Sequence, residues 1–234
     1  HSGMRSQPDY CGGVPQCPSD DEKTGSKAMT SEQVQQLIGD FIDAAGRCQQ
    51  AGFDGVELHG AHGYLLSEFL SPQYNRREDQ YGGSAENRAR ILFDIIEGIN
   101  ARCGRDFSLG IRLSPERFGQ QTAEIRDLAA ALLTDKRVDY LDMSLWDVTK
   151  PAHEEAFGGK SLLEIFTDLP RDGVALGGAG KLYSAAQCQE ALDRGLDFVI
   201  VGRGAILHHD FPQRAIADPQ FTMRDLPVTR DYLK

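Results

Sequence analysis

Two hydrophobic rhythms alternate along the chain. Across residues 31–51 the apolar positions Val34, Leu37, Ile38, Phe41, Ile42 and Ala45 recur every three or four residues. That spacing predicts a helix, with Ser31 as N-cap and Gly52 as the stop. Short, nearly continuous apolar runs then appear at 55–59, 108–114, 138–145, 173–178 and 197–204. Between them lie amphipathic stretches at roughly 84–102, 122–135, 159–168 and 184–195. The repeated unit is therefore strand, polar loop, helix and short turn. Residues 1–30 are rich in Gly, Pro, Ser and Asp and are expected to be irregular.

Strands that run apolar without strict alternation are expected where a parallel sheet is covered by helices. Five successive βα units point to a (β/α)8 TIM barrel or a doubly wound sheet. His59, Arg112, Gly178 and Arg203 all fall near the C-terminal ends of different strands, where barrels place their chemistry. No G-x-G-x-x-G follows a first strand, which counts against a dinucleotide-binding sheet. The fold expected is an α/β (β/α)8 barrel without roughly its first three βα units. Residues 1–234 would form one domain, with 31–234 corresponding to strands 4 to 8. Such a sheet leaves edges unpaired, so association into homo-oligomers is part of this expectation.

Composition narrows the partners. The 234 residues are 40% hydrophobic and 26% charged, with a net charge of −10. Such an acidic chain would be repelled by nucleic acid and by anionic membrane, so neither is an expected partner. No apolar run approaches the roughly 20 residues of a membrane span, and "HSGMRSQPDY" lacks the apolar core of a signal peptide. The five cysteines are odd in number and scattered, as in a reduced cytoplasmic protein. Cys11 and Cys17 are the only close pair. Without a further cysteine or histidine cluster they are expected to be loop thiols with no role.

The chemistry concentrates at strand ends. "VELHGAHGYL" (56–65) places His59, His62 and Tyr64 just beyond an apolar run. Three readings stand: an HxxH metal pair, a two-point hydrogen-bond clamp on a carbonyl oxygen with Tyr64 delivering a proton, or histidines satisfying loop backbone. Arg112 is a charge inside an apolar strand. It needs either an electron-rich partner at the barrel mouth or an internal ion pair with Asp142 or Glu57. The glycines of "VALGGAGKLYSAAQ" and "FVIVGRGAIL", namely Gly177, Gly178 and Gly202 with Arg203, suit a phosphate-bearing ligand at the last two strands, although tight turns want glycine too. Arg76, Arg77, Arg88 and Arg90 are expected to form an ion-pair network pinning a long loop. Trp146 is expected to serve packing, with capping of a pocket as the alternative.

At "FDGVELHGAHGYLLSEFLSPQYNRREDQYGGSAENRARIL" the sequence resembles the signature region of the Old Yellow Enzyme family of FMN-dependent NADH:flavin oxidoreductases. "GIRLSP", "GGAG" and "VGRG" follow in the family's order, and "HSGMRS" resembles the segment closing its third strand, with Met4 where many relatives carry arginine. The resemblance implies FMN at the barrel mouth, NAD(P)H as reductant and an electron-poor alkene as the small-molecule substrate. His59 and His62 would bind the carbonyl or nitro oxygen, and Tyr64 would protonate Cα after hydride transfer from flavin N5. Arg112 would lie beside the flavin N1/C2=O edge, and Gly177, Gly178, Gly202 and Arg203 would cradle the phosphate. No metal is implied. The alternative is a non-catalytic partial barrel that binds a phosphate ligand weakly or needs another chain.

Overall fold

In the computed structural model, residues 3–6, 12–224 and 226 are described; Cys11 lies outside them. Two two-residue strands, β1 (Gln16–Cys17) and β2 (Lys27–Ala28), pair in parallel within the irregular opening segment. Helix α1 (Ser31–Gln50) follows. Its N-cap is Thr30 rather than Ser31, because Thr30 and Gln33 complete a reciprocal capping box: Thr30 Oγ1 accepts from Gln33 N, and Gln33 Oε1 accepts from Thr30 N. The remaining elements are β3 (Gly55–Gly60), α2 (Leu65–Leu70), α3 (Ala85–Cys103), β4 (Ser108–Leu113) and α4 (Thr122–Asp135), then β5 (Tyr140–Ser144), α5 (Leu162–Thr167), β6 (Ala175–Ala179), α6 (Ala185–Asp193), β7 (Phe198–Val199), α7 (Arg203–Leu207) and α8 (Phe211–Ala217).

β3 to β7 form one parallel five-stranded sheet in sequence order, as successive βα units of a barrel must. Its register separates two faces. Leu58, Ile111, Leu141 and Leu176 are register partners, all buried on the face that carries the apolar core. The neighbouring row, His59, Arg112, Asp142, Gly177 and Phe198, points the other way. Two residues earlier, Glu57, Gly110 and Tyr140 form the next row on that same inner face. The strands are thus apolar on one side and polar-aromatic on the other, which near-continuous hydrophobicity had hidden.

Three expectations change. The strand at 197–204 shrinks to two residues, because Gly202 leaves the extended conformation and opens α7; Ile200 N still donates to Gly178 O at 3.0 Å. The segments 65–70 and 211–217, not read as elements, are short helices. The arginine network binds backbone more than carboxylates. Arg76 donates to Asp20 O (2.6 Å) and Arg90 to Gln80 O (2.9 Å). Arg77 pairs with Asp79 and also donates to Pro18 O, and buried Arg88 pairs with Glu124 and donates to Leu70 O. Burying a guanidinium against carbonyls satisfies it without a second charge to desolvate.

Glu68, on α2, fastens the opening segment to the sheet end. Its fully buried carboxyl accepts from Met4 N at 2.7 Å, while its other oxygen has no hydrogen-bond partner. Burial pushes its pKa up to about 7, only partly offset by the backbone amides of Met4 and Arg5. The folded state therefore holds a proton that the unfolded chain releases near 4.5. Stability contributed by this proton is full below 4.5 and is lost as pH rises through about 7. Urea denaturation across that window should show the wild type losing roughly 2–3 kcal/mol relative to Glu68→Gln. Parallel pH profiles for the two proteins would contradict it.

Candidate active site

β3 ends at Gly60, and Ala61 to Gly63 turn the chain into α2, with Tyr64 N donating to Ala61 O at 3.3 Å. The turn puts His62 at φ +61° and Gly63 at φ +71°. A non-glycine residue in the left-handed region needs outside support. It comes from two buried hydroxyls: Ser114 Oγ accepts from His62 N (3.0 Å) and Ser67 Oγ from Gly63 N (3.2 Å). Glycine at 63 is also a space requirement, since a Cβ there would strike the Arg5 side chain and the Phe118 ring.

This turn brings the two histidines together. His62 Nδ1 faces His59 Nε2 at 3.3 Å, and the His59 and Tyr64 ring centroids are 5.8 Å apart. Burial, then His62 and Arg112, push the His59 pKa down to about 4; burial and Arg112 lower that of His62. Both rings are neutral at neutral pH, with one N–H each. In the hydrogen bond between them one nitrogen donates and the other accepts; once it opens, with His62 protonated on Nδ1 and His59 on Nε2, both can donate to a single oxygen. Among the described residues no group of three or more His, Cys, Asp or Glu side chains is placed to hold a metal ion.

Arg112 is the register neighbour of His59, and the internal ion pair weighed for it is present. Its Nε donates to Asp142 Oδ2 and lies 3.3 Å from Glu57 Oε1. Its Nη groups make no hydrogen bond among the described residues, and Arg112 lines a cleft of about 250 Å³ at the C-terminal end of the sheet. Burial raises the pKa of both carboxyls, against the pull of Arg112.

The glycines expected to cradle a phosphate divide. Gly202 and Arg203 line the cleft, beside Gly180 and Lys181, which the sequence had not singled out. Gly177 and Gly178 do not. They are buried in β6, where a Cβ on Gly177 would strike the Phe198 ring and one on Gly178 would meet Leu196 at 2.9 Å. Their smallness serves sheet packing. The cleft wall holds further residues that sequence reasoning passed over, notably Ser114, Glu116, Arg117 and Phe118 in the loop after β4. Trp146, assigned mainly to packing, is 57% exposed and lines the cleft.

Two carboxylates lock these loops. Buried Glu116 binds Lys150 and accepts from His153 N at 2.9 Å. Glu154 accepts from Thr122 N and Ala123 N, capping α4, whose own N-cap Gln121 makes no side-chain bond. The loops after β4 and β5 are therefore tied in both directions.

Fold and site together define a (β/α)-barrel sheet whose mouth carries a neutral histidine pair, a tyrosine and a cationic cleft. A family model described as the NADH:flavin oxidoreductase / NADH oxidase family matches residues 3–220, and the chain belongs to that family. The NADPH dehydrogenase of Bacillus cytotoxicus is 35% identical over 211 residues, 89% of this chain and 60% of that protein. Morphinone reductase in complex with tetrahydroNAD superimposes with a TM-score of 0.76 at 30% identity, covering 96% of this chain and 66% of that one. An Old Yellow Enzyme homologue from Zymomonas mobilis gives 0.78 at 28%, covering 97% and 67%. The chain thus spans about 60% of the length of the curated relative, and its sheet matches part of those barrels. Among the described residues no helix is long and apolar enough to cross a membrane.

The neutral histidines give a direct test. NMR titration should place the His59 midpoint near pH 4 and that of His62 below 6.5. Both should move upward in Arg112→Gln, which removes a shared cation. Midpoints at 6.5 for both rings would contradict the buried pair.

Proposed function

We propose that this chain carries the substrate side of an FMN-dependent NAD(P)H oxidoreductase that reduces activated C=C bonds of α,β-unsaturated carbonyl or nitro compounds. The observation that carries the reading is the neutral His59–His62 pair, two nitrogens 3.3 Å apart beside Tyr64, at the mouth of a barrel sheet of this family. FMN, when bound, supplies the hydride that reaches the substrate's β-carbon.

The chain's residues fit that group. The Nη edge of Arg112 suits an electron-rich ring edge, and Lys181, Arg203, Gly180 and Gly202 give the cleft the cations and open backbone that a phosphate needs. Gly202 has nothing within 4 Å of where a Cβ would stand. Gly177 and Gly178 would support this region from behind, through packing. His59 and His62 donate to the substrate oxygen, withdraw electron density from the β-carbon and hold the charge that develops on that oxygen. Both are neutral, and the substrate oxygen replaces the hydrogen bond that the two rings make to each other. Tyr64 then donates its phenolic proton to Cα.

A second reading, a non-catalytic partial barrel, draws on the edges: within the described residues β3 and β7 each pair on one side only. Flavin titration separates the two. Uptake of FMN with the flavin's visible absorption supports the oxidoreductase; a colourless chain that takes up none supports the partial barrel. In flavin-loaded protein, Tyr64→Phe should slow oxidation by a cyclic enone by roughly 10²-fold or more and leave flavin reduction by NAD(P)H nearly unchanged. Equal loss in both half-reactions would remove the proton-donor role.

A further inference from the structure

Four side chains from three segments alternate along the rim of the cleft. Arg5 lies 4.7 Å from the Phe118 ring centroid, while Arg117 lies 5.9 Å from that ring and 4.2 Å from that of Trp146. Both arginines are exposed, and neither guanidinium has an ion pair or hydrogen bond among the described residues. In a chain of net charge −10 that is unusual. The acids of the same loops are already engaged, Glu116 with Lys150 and His153, and Asp147 with Lys181 at 2.8 Å.

The backbone is strained where this stack is built. Six non-glycine residues among those described have positive φ, and five of them, His62, Arg117, Phe118, Trp146 and Lys181, line the one cleft. Left-handed backbone gathered around one cleft, with the exposed Arg117 guanidinium carrying no ion pair there, points to a ligand. The stack also touches the histidine turn, because Arg5 and Phe118 lie against the α-carbon of Gly63, between His62 and Tyr64.

We infer that this arginine–aromatic stack sets substrate class: it selects electron-poor alkenes that carry a second, anionic group such as a carboxylate, with Arg117 as the principal contact. The inference rests on the reading of His59, His62 and Tyr64 given above. A guanidinium placed over an indole ring leaves N–H groups for a bidentate contact with carboxylate. Trp146 supplies the flat wall and takes no charge from the cation. Closeness to the histidine turn favours a compact substrate over the reductant, whose phosphates are separated from the nicotinamide ring by a ribose.

Trp146 is the chain's single tryptophan, so its fluorescence reports on this rim with or without flavin. The full chain is titrated with cyclohexenone, with a cyclohexenone bearing a ring carboxylate, and with NADP+. The carboxylated enone should bind about tenfold or more tightly than the neutral one. Arg117→Gln should abolish that margin without weakening neutral enone, and Arg117→Lys should restore part of it. Equal affinities in the wild type, or a margin that survives Arg117→Gln, overturns the inference. So does weakening of NADP+ by Arg117→Gln with the carboxylated enone unaffected, which would assign the stack to the reductant. Failure of the underlying site appears separately, as enone binding that His62→Ala leaves unchanged.

Discussion

Arg112 places a full positive charge on the inner face of a parallel sheet, and the arrangement at the barrel mouth follows from how that charge is held. Asp142, its register neighbour on β5, is fully buried and engages the Nε side. Glu57, one inner-face row earlier on β3, approaches the same atom at 3.3 Å. With both carboxylates on one edge of the guanidinium, the other edge is left to face the cleft. The same charge helps to keep His59 and His62 unprotonated. This cation thus adds to burial in keeping its neighbours neutral, so its charge cannot be removed without shifting their titration.

The inner face accommodates these polar groups through complementary sizes. Gly110 leaves room for the Tyr140 ring and Gly177 for Phe198, and the two rings meet edge to face at 5.7 Å. Large beside small fills a barrel layer without displacing the strands. The loops above are held by a different device. Glu116 and Glu154 reach across from one βα loop to the next and bind backbone amides or a lysine. Buried Glu116 and half-buried Glu154 are each engaged more than once, which helps left-handed residues such as Arg117 and Trp146 to persist.

Much of the architecture was legible because parallel βα units write themselves as periodicity: α4 was read at 122–135, where it stands, and β3 to β6 fall within a residue or two of their expected ends. The last strand was overread because an apolar run does not disclose where Gly202 turns the chain. His59, His62 and Tyr64 were legible as a group since one turn carries them all. Of the glycines singled out, Gly202 lines the cleft and Gly177 and Gly178 do not, while Gly180 lines it unremarked, because composition cannot say which glycine faces a cleft and which accommodates a neighbouring ring. Arg117 and Trp146 were illegible as a pair. They lie in different loops, which are tied to each other through Glu116 and Glu154.

The charge distribution has its own logic. An arginine paired with a carboxylate is largely neutralised at a distance, whereas one stacked on an aromatic ring keeps its field. Arg5, Arg117 and Arg203 all rest on rings, those of Phe118, Trp146 and Tyr183. The mouth therefore stays positive on a chain whose total charge is −10, and the acidic remainder would repel anions everywhere else. That contrast favours approach of anionic molecules along one direction, toward the C-terminal end of the sheet. Where the rim uses cation–ring contacts the field is kept, whereas an ion pair at the same position would cancel it.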